Sequence, residues 1–243
     1  MAESAQFCGV PVQKSRVLDE PRHPLFVRVT HWIFSLSFLG LVISGLAIIL
    51  AHPRLYWGET GAVGAPSLFD LPLPFVREIP IRGPGRYLHY LSAWICVFTG
   101  LVYLSAGVFT RHFRQNLLPA RAQLSWPSIS QVVINHLRLK RPTEEDARSY
   151  NVLQRLSYLA VAFFLVPLMI WTGLAMSPAI VSVFPSLVTT FGGQQSARTI
   201  HFFVAVFLLL FLFVHLSMVC LAGFKLRTRA MIVGSSAAGK GRQ

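Results

Sequence analysis

The stretch that most constrains this chain is the long apolar segment from Arg198 to Phe224. It carries no charged residue after Arg198, and as a helix it is long enough to cross the hydrocarbon core of a bilayer. Two histidines interrupt it, His201 and His215, 14 positions apart. That separation is about 40° short of four helical turns and covers roughly 21 Å along the axis. One helix therefore presents two imidazoles on one face, near opposite sides of a membrane, where ionisable side chains are functional candidates.

Composition places the rest of the chain in the membrane class as well. The 243 residues are 53% hydrophobic and only 13% charged, with a mean hydropathy of +0.55. These values predict an all-α integral membrane protein, a bundle of four transmembrane helices. The expected division is a tail at 1–25, a membrane domain at 26–225 and a second tail at 226–243, with spans at about 26–51, 85–109, 152–176 and 198–224. No apolar leader resembling a signal peptide precedes the first span.

The positive charge predicts the orientation of the bundle. The net charge is +13, and basic residues crowd the two tails and the 110–150 segment, whereas the 177–197 loop has none. The positive-inside rule then predicts that both the N and C termini are cytoplasmic. Because the charge follows the loops, membrane lipid is an expected partner and nucleic acid is not.

With that topology, the histidines of the spans form two pairs at matched depth. His31 begins span one and lies near the inner face, as does His215, deep in span four. His89 begins span two and lies near the outer face, as does His201, at the start of span four. A single histidine in a span is more often a hydrogen-bonded packing residue, but two depth-matched pairs disfavour that reading. Neutral imidazole is a good iron ligand, so the pairs His89/His201 and His31/His215 predict two bis-histidine b hemes.

Two glycines and two arginines lie on the same helical faces as these histidines. Gly45 follows His31 by 14 positions and Gly100 follows His89 by 11, so each leaves room either for a flat macrocycle or for close helix contact. Arg28 and Arg198 each come three residues before a histidine. Either arginine can pair with a heme propionate or simply extend its side chain to the membrane interface.

Several short motifs accompany the histidines. They are R-V-T-H-W at 28–32, Y-L-H-Y at 87–90, Y-N-V-L-Q-R at 150–155, P-L-M-I-W-T-G-L-A-M-S-P at 167–178 and the two histidines of span four. Together they cover about residues 22–225 and resemble the bacterial cytochrome b561 superfamily. More closely, they resemble the membrane cytochrome b subunits of nickel-iron hydrogenase, formate dehydrogenase and thiosulfate reductase.

This resemblance implies that His31, His89, His201 and His215 ligate two b hemes and that a quinone binds beside the inner heme, where His215 borders the site. Asn151 matches an asparagine that contacts quinone in the family, although here it can equally cap the helix of span three. The sequence departs from the formate dehydrogenase form at Leu153, where that form has a small residue. The T-G-L-A-M-S-P stretch resembles the thiosulfate-reductase-like branch, which often pairs with molybdopterin oxidoreductases.

The resulting interpretation is a diheme b-type cytochrome subunit of a bacterial inner membrane that carries electrons between an outer-face partner and quinone. The partner is expected to be a molybdopterin or hydrogenase-type catalytic subunit, or an iron–sulfur or cytochrome carrier. The chain shows no nucleophile or acid pair, so it performs quinone redox chemistry at most. One alternative is a stand-alone cytochrome b561 that exchanges electrons between a diffusible species such as superoxide and quinone; another is a heme-free membrane anchor. The long 52–85 and 110–150 segments favour a docking role.

Overall fold

The computed structural model describes residues 24–61, 64–71, 84–110, 152–221 and 223–234. Its elements in chain order are α1 (Leu25–Ala51), β1 (Arg54–Leu55), β2 (Phe69–Asp70), α2 (Pro84–Phe109), α3 (Val152–Ala160), a π-helical turn (Val161–Leu165), α4 (Val166–Ala175), α5 (Pro178–Val181), α6 (Ser186–Thr189), α7 (Gln194–Leu221) and α8 (Phe224–Val233). Most of the predicted N-terminal tail and of the basic 110–150 segment lies outside the described residues.

Among the described residues, four helical segments are long and apolar enough to cross a membrane. They are Leu25–Ala51, Gly85–Phe109, Leu156–Ala175 and Gln194–Leu221. The predicted all-α fold with four transmembrane helices is confirmed. The fourth spanning helix, α7, begins at Gln194 rather than at Arg198, directly after Gly192 and Gly193. Both glycines have positive φ, 72° and 126°, and so provide the turn that separates α6 from α7.

The first hairpin packs α1 against α2 through small residues rather than large apolar ones. The buried positions of α1 are Thr30, Ser37 and Ser44, one every seven residues. Ser92 and Thr99 are buried with the same spacing on α2. Large apolar side chains point outward instead, as at Leu36 and Phe98, which are 73% and 61% exposed. Small residues at the helix interface and large apolar residues on the outside are typical of a protein surrounded by lipid. Small residues let the helices approach closely, and apolar side chains can face the lipid tails.

The second hairpin packs α4 and the π turn against α7, and the ring of Tyr158 on α3 contacts that of Phe211 on α7. The π turn precedes Pro167, whose ring clashes with the carbonyl four residues earlier in a regular α-helix and which has no N–H to donate. Within the turn, the N–H of Val166 bonds to the carbonyl of Val161, five residues back. The wider turn accommodates the proline without ending the span.

One end of the bundle, here termed the loop end, is covered by the connection between α1 and α2. Its strands β1 and β2 pair antiparallel, and Arg54 forms a 3.3 Å ion pair with Asp70. This connection is anchored on the start of α7, where the Thr199 hydroxyl donates to the carbonyl of Tyr56 at 2.6 Å. The N–H of Gly58 donates to Ser196 Oγ at 2.7 Å. The loop end is therefore an ordered cap that joins the two hairpins.

The opposite end, termed the tail end, holds the start of α1 and the end of α7. The predicted tail from residue 226 begins there as helix α8, which packs on α1. Trp32 Nε1 donates to the carbonyl of Met231 at 3.3 Å, and Arg28 donates to the carbonyl of Ile232 at 2.9 Å. Gly223, with a φ of 98°, makes the turn between α7 and α8.

Candidate heme-binding site

The loop-end histidines His89 and His201 face each other across the bundle. Their ring centroids are 6.3 Å apart and their planes are inclined by 59°. Two imidazoles bonded to one metal ion from opposite sides, each through a nitrogen at about 2 Å, have centroids about 6 Å apart. The separation therefore fits a shared metal ion and is too long for direct ring stacking.

A serine on α1 determines which nitrogen of His89 is free. Ser44 Oγ lies 3.0 Å from His89 Nδ1 and 2.6 Å from the carbonyl oxygen of Gly40. A hydroxyl has one proton, and a carbonyl can only accept, so Ser44 donates to Gly40 and accepts from the Nδ1–H of His89. Nε2 of His89 then carries the lone pair, which is the form required of a metal ligand.

A threonine on α4 does the same for His201. Thr172 Oγ1 lies 2.9 Å from His201 Nδ1 and 2.8 Å from the carbonyl oxygen of Leu168. By the same proton count, Thr172 accepts from His201 Nδ1–H and leaves Nε2 free. Ser44 and Thr172 are 1% and 0% exposed, so water does not compete for either bond.

A glycine follows each of these hydroxyl residues and lies against the same imidazole. A methyl group added at Gly45 would lie 3.7 Å from Cε1 of His89, and one added at Gly173 would lie 3.5 Å from Cε1 of His201. Of the two uses predicted for Gly45, the structure shows close packing, here against a histidine ring. Gly100 has no neighbour within 4 Å of such a methyl group, so the space beside it is open.

The tail-end histidines His31 and His215 are also brought together, near enough to interact electrostatically. Nδ1 of His31 is buried and has no hydrogen-bond partner among the described residues. His215 lies between two aromatic rings, with centroid distances of 5.8 Å to Phe211 and 6.2 Å to Tyr158. The described neighbours of His215 are thus aromatic, whereas Nδ1 of each loop-end histidine has a hydroxyl partner.

Comparison with known proteins identifies the kind of molecule that contains these pairs. Residues 22–234 match the family described as prokaryotic cytochrome b561. The chain belongs to that family. Over 203 residues it is 30% identical to the putative protein-methionine-sulfoxide reductase subunit YedZ1 of Azospira oryzae, an alignment that covers 82% of this chain and 90% of that protein. No solved structure matches the chain significantly.

The protein is therefore a cytochrome b561-type heme protein of the bacterial inner membrane that spans the membrane several times and serves electron transport. The residues of the loop-end pair fit a b-type heme. Their separation suits axial ligation, and both Nδ1 atoms are occupied by hydroxyl partners. The extensive helix packing lies within each hairpin, between α1 and α2 and between α4 and α7, so each hairpin supplies one histidine of each pair.

The arginines predicted to contact heme propionates each bond a backbone carbonyl in this cytochrome. Arg198 donates through Nη2 to the carbonyl of His52 at 2.5 Å, and Arg28 donates through Nη1 to Ile232. Nε of Arg28 is buried without a partner among the described residues. An arginine has five N–H donors, so each keeps others for an anion. Asn151, the predicted quinone contact, lies outside the described residues.

A cavity of about 520 Å³ opens beside Arg198 at the loop end. Its lining includes His52, Tyr56, Gln195 and Arg54. Oε1 of Gln195 is buried and has no hydrogen-bond partner among the described residues. The cavity thus has polar and cationic groups beside Arg198, one helical turn before His201. Such groups would suit the carboxylate of a heme held by His201.

The sequence prediction missed Ser44, Thr172 and Gly173. Both hydroxyl residues are followed by glycine, and each pair lies toward the C-terminal end of its spanning helix. That repeated pattern was the available signal. Serine and threonine in membrane helices usually bond to a carbonyl of their own helix, as Ser217 does to that of Phe213, so the pattern alone did not reveal a histidine partner.

Proposed function

We propose that this cytochrome is a diheme electron-transfer subunit. His89 and His201 would hold one b heme at the loop end, and His31 and His215 a second at the tail end. The observation that supports this most directly is the facing of His89 and His201 at 6.3 Å with both Nδ1 atoms hydrogen-bonded. The proximity of His31 to His215 at the tail end supports the second heme.

The ligand set suits electron transfer rather than substrate chemistry. Heme supplies one-electron iron chemistry when bound, and two histidine ligands leave no coordination position open for oxygen or substrate. The chain's own residues hold the two imidazoles, exclude water from Ser44 and Thr172, and offer Arg28 and Arg198 to the propionates. A substrate other than quinone would therefore react on a partner protein.

The charge pattern predicts how the path is oriented in the membrane. Basic residues predict that the tail end faces the cytoplasm, which places the loop end at the outer face. Electrons would pass between a partner docked on the loop end and a quinone near the tail end, with Asn151 as a quinone contact. Moving one charge across the whole membrane couples to the membrane potential by about 2.3 kcal/mol per 100 mV.

The similarity to a protein named as a subunit of a methionine sulfoxide reductase supports a catalytic partner. We infer that the partner is an oxidoreductase subunit of molybdopterin or hydrogenase type, or an electron carrier, that docks at the outer face. The ordered connection over residues 52–61 and 64–71, anchored on α7 by Thr199 and Ser196, is the surface available for it.

Purification of the full chain from membranes tests the proposal. Pyridine hemochrome analysis is expected to give two b hemes per chain, and a reduced quinol analogue is expected to reduce both in the absence of a partner. A co-purifying catalytic subunit would support the docking role. One heme per chain would contradict the diheme assignment, and the absence of heme would leave a membrane anchor. Reduction of the hemes of the partner-free protein by superoxide, with release of O2 and transfer of the electrons to quinone, would favour the stand-alone alternative.

A further inference from the structure

The two loop-end histidines are held in the same way by two different helices. Ser44–Gly45 on α1 contacts His89, and Thr172–Gly173 on α4 contacts His201. In each case the hydroxyl residue bonds to Nδ1 and the glycine lies against Cε1 of the same ring. A methyl group at either glycine would make only an ordinary contact with the ring, so a side chain larger than that of alanine is needed to push the imidazole away.

The direction of these hydrogen bonds has an electronic consequence for a bound iron. A ligating imidazole that donates its other N–H to an acceptor becomes a stronger electron donor, and its ring orientation and tautomer are fixed. Stronger donation favours ferric over ferrous iron, so it lowers the reduction potential. Because Ser44 and Thr172 each direct their own proton to a backbone carbonyl, both are acceptors toward the imidazoles.

At the tail end, the ring of His31 has no equivalent hydroxyl contact among the described residues. His31 Nδ1 is buried with no hydrogen-bond partner among the described residues. Ser35, one helical turn later, donates to the carbonyl of His31 and not to its ring. Among the described residues, the hydroxyl arrangement is thus found at both loop-end histidines and not at His31.

We propose that Ser44 and Thr172 are positioning residues that fix the Nε2-ligating tautomer of His89 and His201 and lower the reduction potential of the heme between them. This role rests on the heme ligation proposed above. Loss of either hydroxyl raises the potential of the loop-end heme and leaves that of the tail-end heme unchanged.

Potentiometric titration of the purified full-length protein, followed in the visible heme band, tests this. Thr172→Val keeps the shape of the side chain and removes the hydroxyl, whereas Thr172→Ser keeps the hydroxyl. We expect a positive shift of one of two midpoint potentials in Thr172→Val and Ser44→Ala, and wild-type potentials in Thr172→Ser. Heme content, measured in parallel, is expected to stay at the wild-type value in Thr172→Ser.

Ser37→Ala is the matched control. Ser37 lies on the same helix, is 7% exposed and bonds to the carbonyl of Ile33, but its other contact is Cys96 rather than a histidine. Unchanged potentials in Thr172→Val and Ser44→Ala, in a protein that still contains two hemes, would overturn the positioning role alone. Equal shifts in Ser37→Ala would overturn it too, by assigning the effect to general packing. A wild-type protein without two hemes would instead overturn the proposed function.

If Ser44→Ala or Thr172→Val does not retain the loop-end heme, a second measurement is available. It compares the ferric low-spin heme signal of the wild-type and Thr172→Ser proteins by electron paramagnetic resonance. The positioning role requires Thr172→Ser to retain both the signal and the heme. Loss of heme from Thr172→Ser, where the hydroxyl is present, would show that side-chain volume rather than the hydrogen bond is what holds His201.

Discussion

His89 on α2 and His201 on α7 belong to different helical hairpins, yet their rings face each other at 6.3 Å. The most extensive helix packing is internal to each hairpin. A metal shared by these two imidazoles would therefore join the hairpins at the loop end, where the Thr199 and Ser196 hydrogen bonds also join them. Heme binding by this pair would thus be coupled to assembly of the bundle, since a ligand that binds only the folded state stabilises it.

Replacing His201 is expected to remove the loop-end heme alone. His201→Ala deletes an axial ligand and leaves the Thr172 hydroxyl without its imidazole partner. We expect heme content to fall by about half and the thermal unfolding temperature to drop, because the remaining heme lies at the tail end. Pyridine hemochrome analysis and a thermal scan measure both. The control is Phe213→Ala, because Phe213 lies on the same helix and its side chain is 70% exposed.

The pairing itself can be tested by comparing all four histidine variants. Because His31 lies near His215 and His89 faces His201, His31→Ala and His215→Ala should lose one spectral component, and His89→Ala and His201→Ala should lose the other. Low-temperature difference spectra of the alanine variants resolve the two components. Loss of the same component from His31→Ala and His89→Ala would show that the ligands are paired differently.

How far sequence reasoning reached depended on whether helix periodicity governs the feature. The depth of His201 and His215 follows from residue number along one helix, so their two levels could be predicted. The π turn before Pro167 and the burial of Thr30, Ser37 and Ser44 needed the structure. The turn is one of several ways in which a helix can accommodate a proline, and the burial depends on how α1 fits against α2.

The hydrogen bonds that join Ser44 to His89 and Thr172 to His201 were less predictable for a physical reason. Ser44 and Thr172 both satisfy their hydroxyl protons within their own helices, as isolated serines and threonines in spans also do. Only the register between hairpin partners shows that the hydroxyl oxygen also reaches a histidine. The arginine predictions were made from spacing alone, and the backbone carbonyls that Arg28 and Arg198 bond belong to segments far away in sequence.

The glycine beside His201 gives a prediction that depends on size. A methyl group at Gly173 would lie 3.5 Å from Cε1 of His201, an ordinary contact, so Gly173→Ala should bind heme as the wild type does. Gly173→Val adds two further carbons in a stiff side chain and is expected to push the ring away from Thr172. Heme content should then fall by about half. Full heme content in Gly173→Val would show that the ring does not need this close approach.

The anchoring of the loop end can be measured through Thr199. Its hydroxyl is 1% exposed and donates to the carbonyl of Tyr56, so Thr199→Val leaves a buried acceptor without a partner, at a cost of about 1–3 kcal/mol. We expect faster proteolysis within residues 52–71 of the detergent-solubilised protein. Thr190→Val is the control, because Thr190 is exposed and bonds only to Ser186 in its own turn. Equal proteolysis of both variants would mean that Thr199 does not anchor the connection.

The proposed quinone contact gives a prediction in which heme binding and quinone turnover separate. Asn151 is not an iron ligand in the proposed scheme, so Asn151→Ala should keep both hemes while quinone reacts more slowly with them. Stopped-flow oxidation of the dithionite-reduced protein by a soluble quinone measures the rate, and pyridine hemochrome analysis measures heme. An amide contributes one or two hydrogen bonds to a quinone oxygen, so a rate loss of roughly 10-fold is expected. Loss of heme from Asn151→Ala would instead assign this residue to the helix framework of span three and move the quinone site elsewhere.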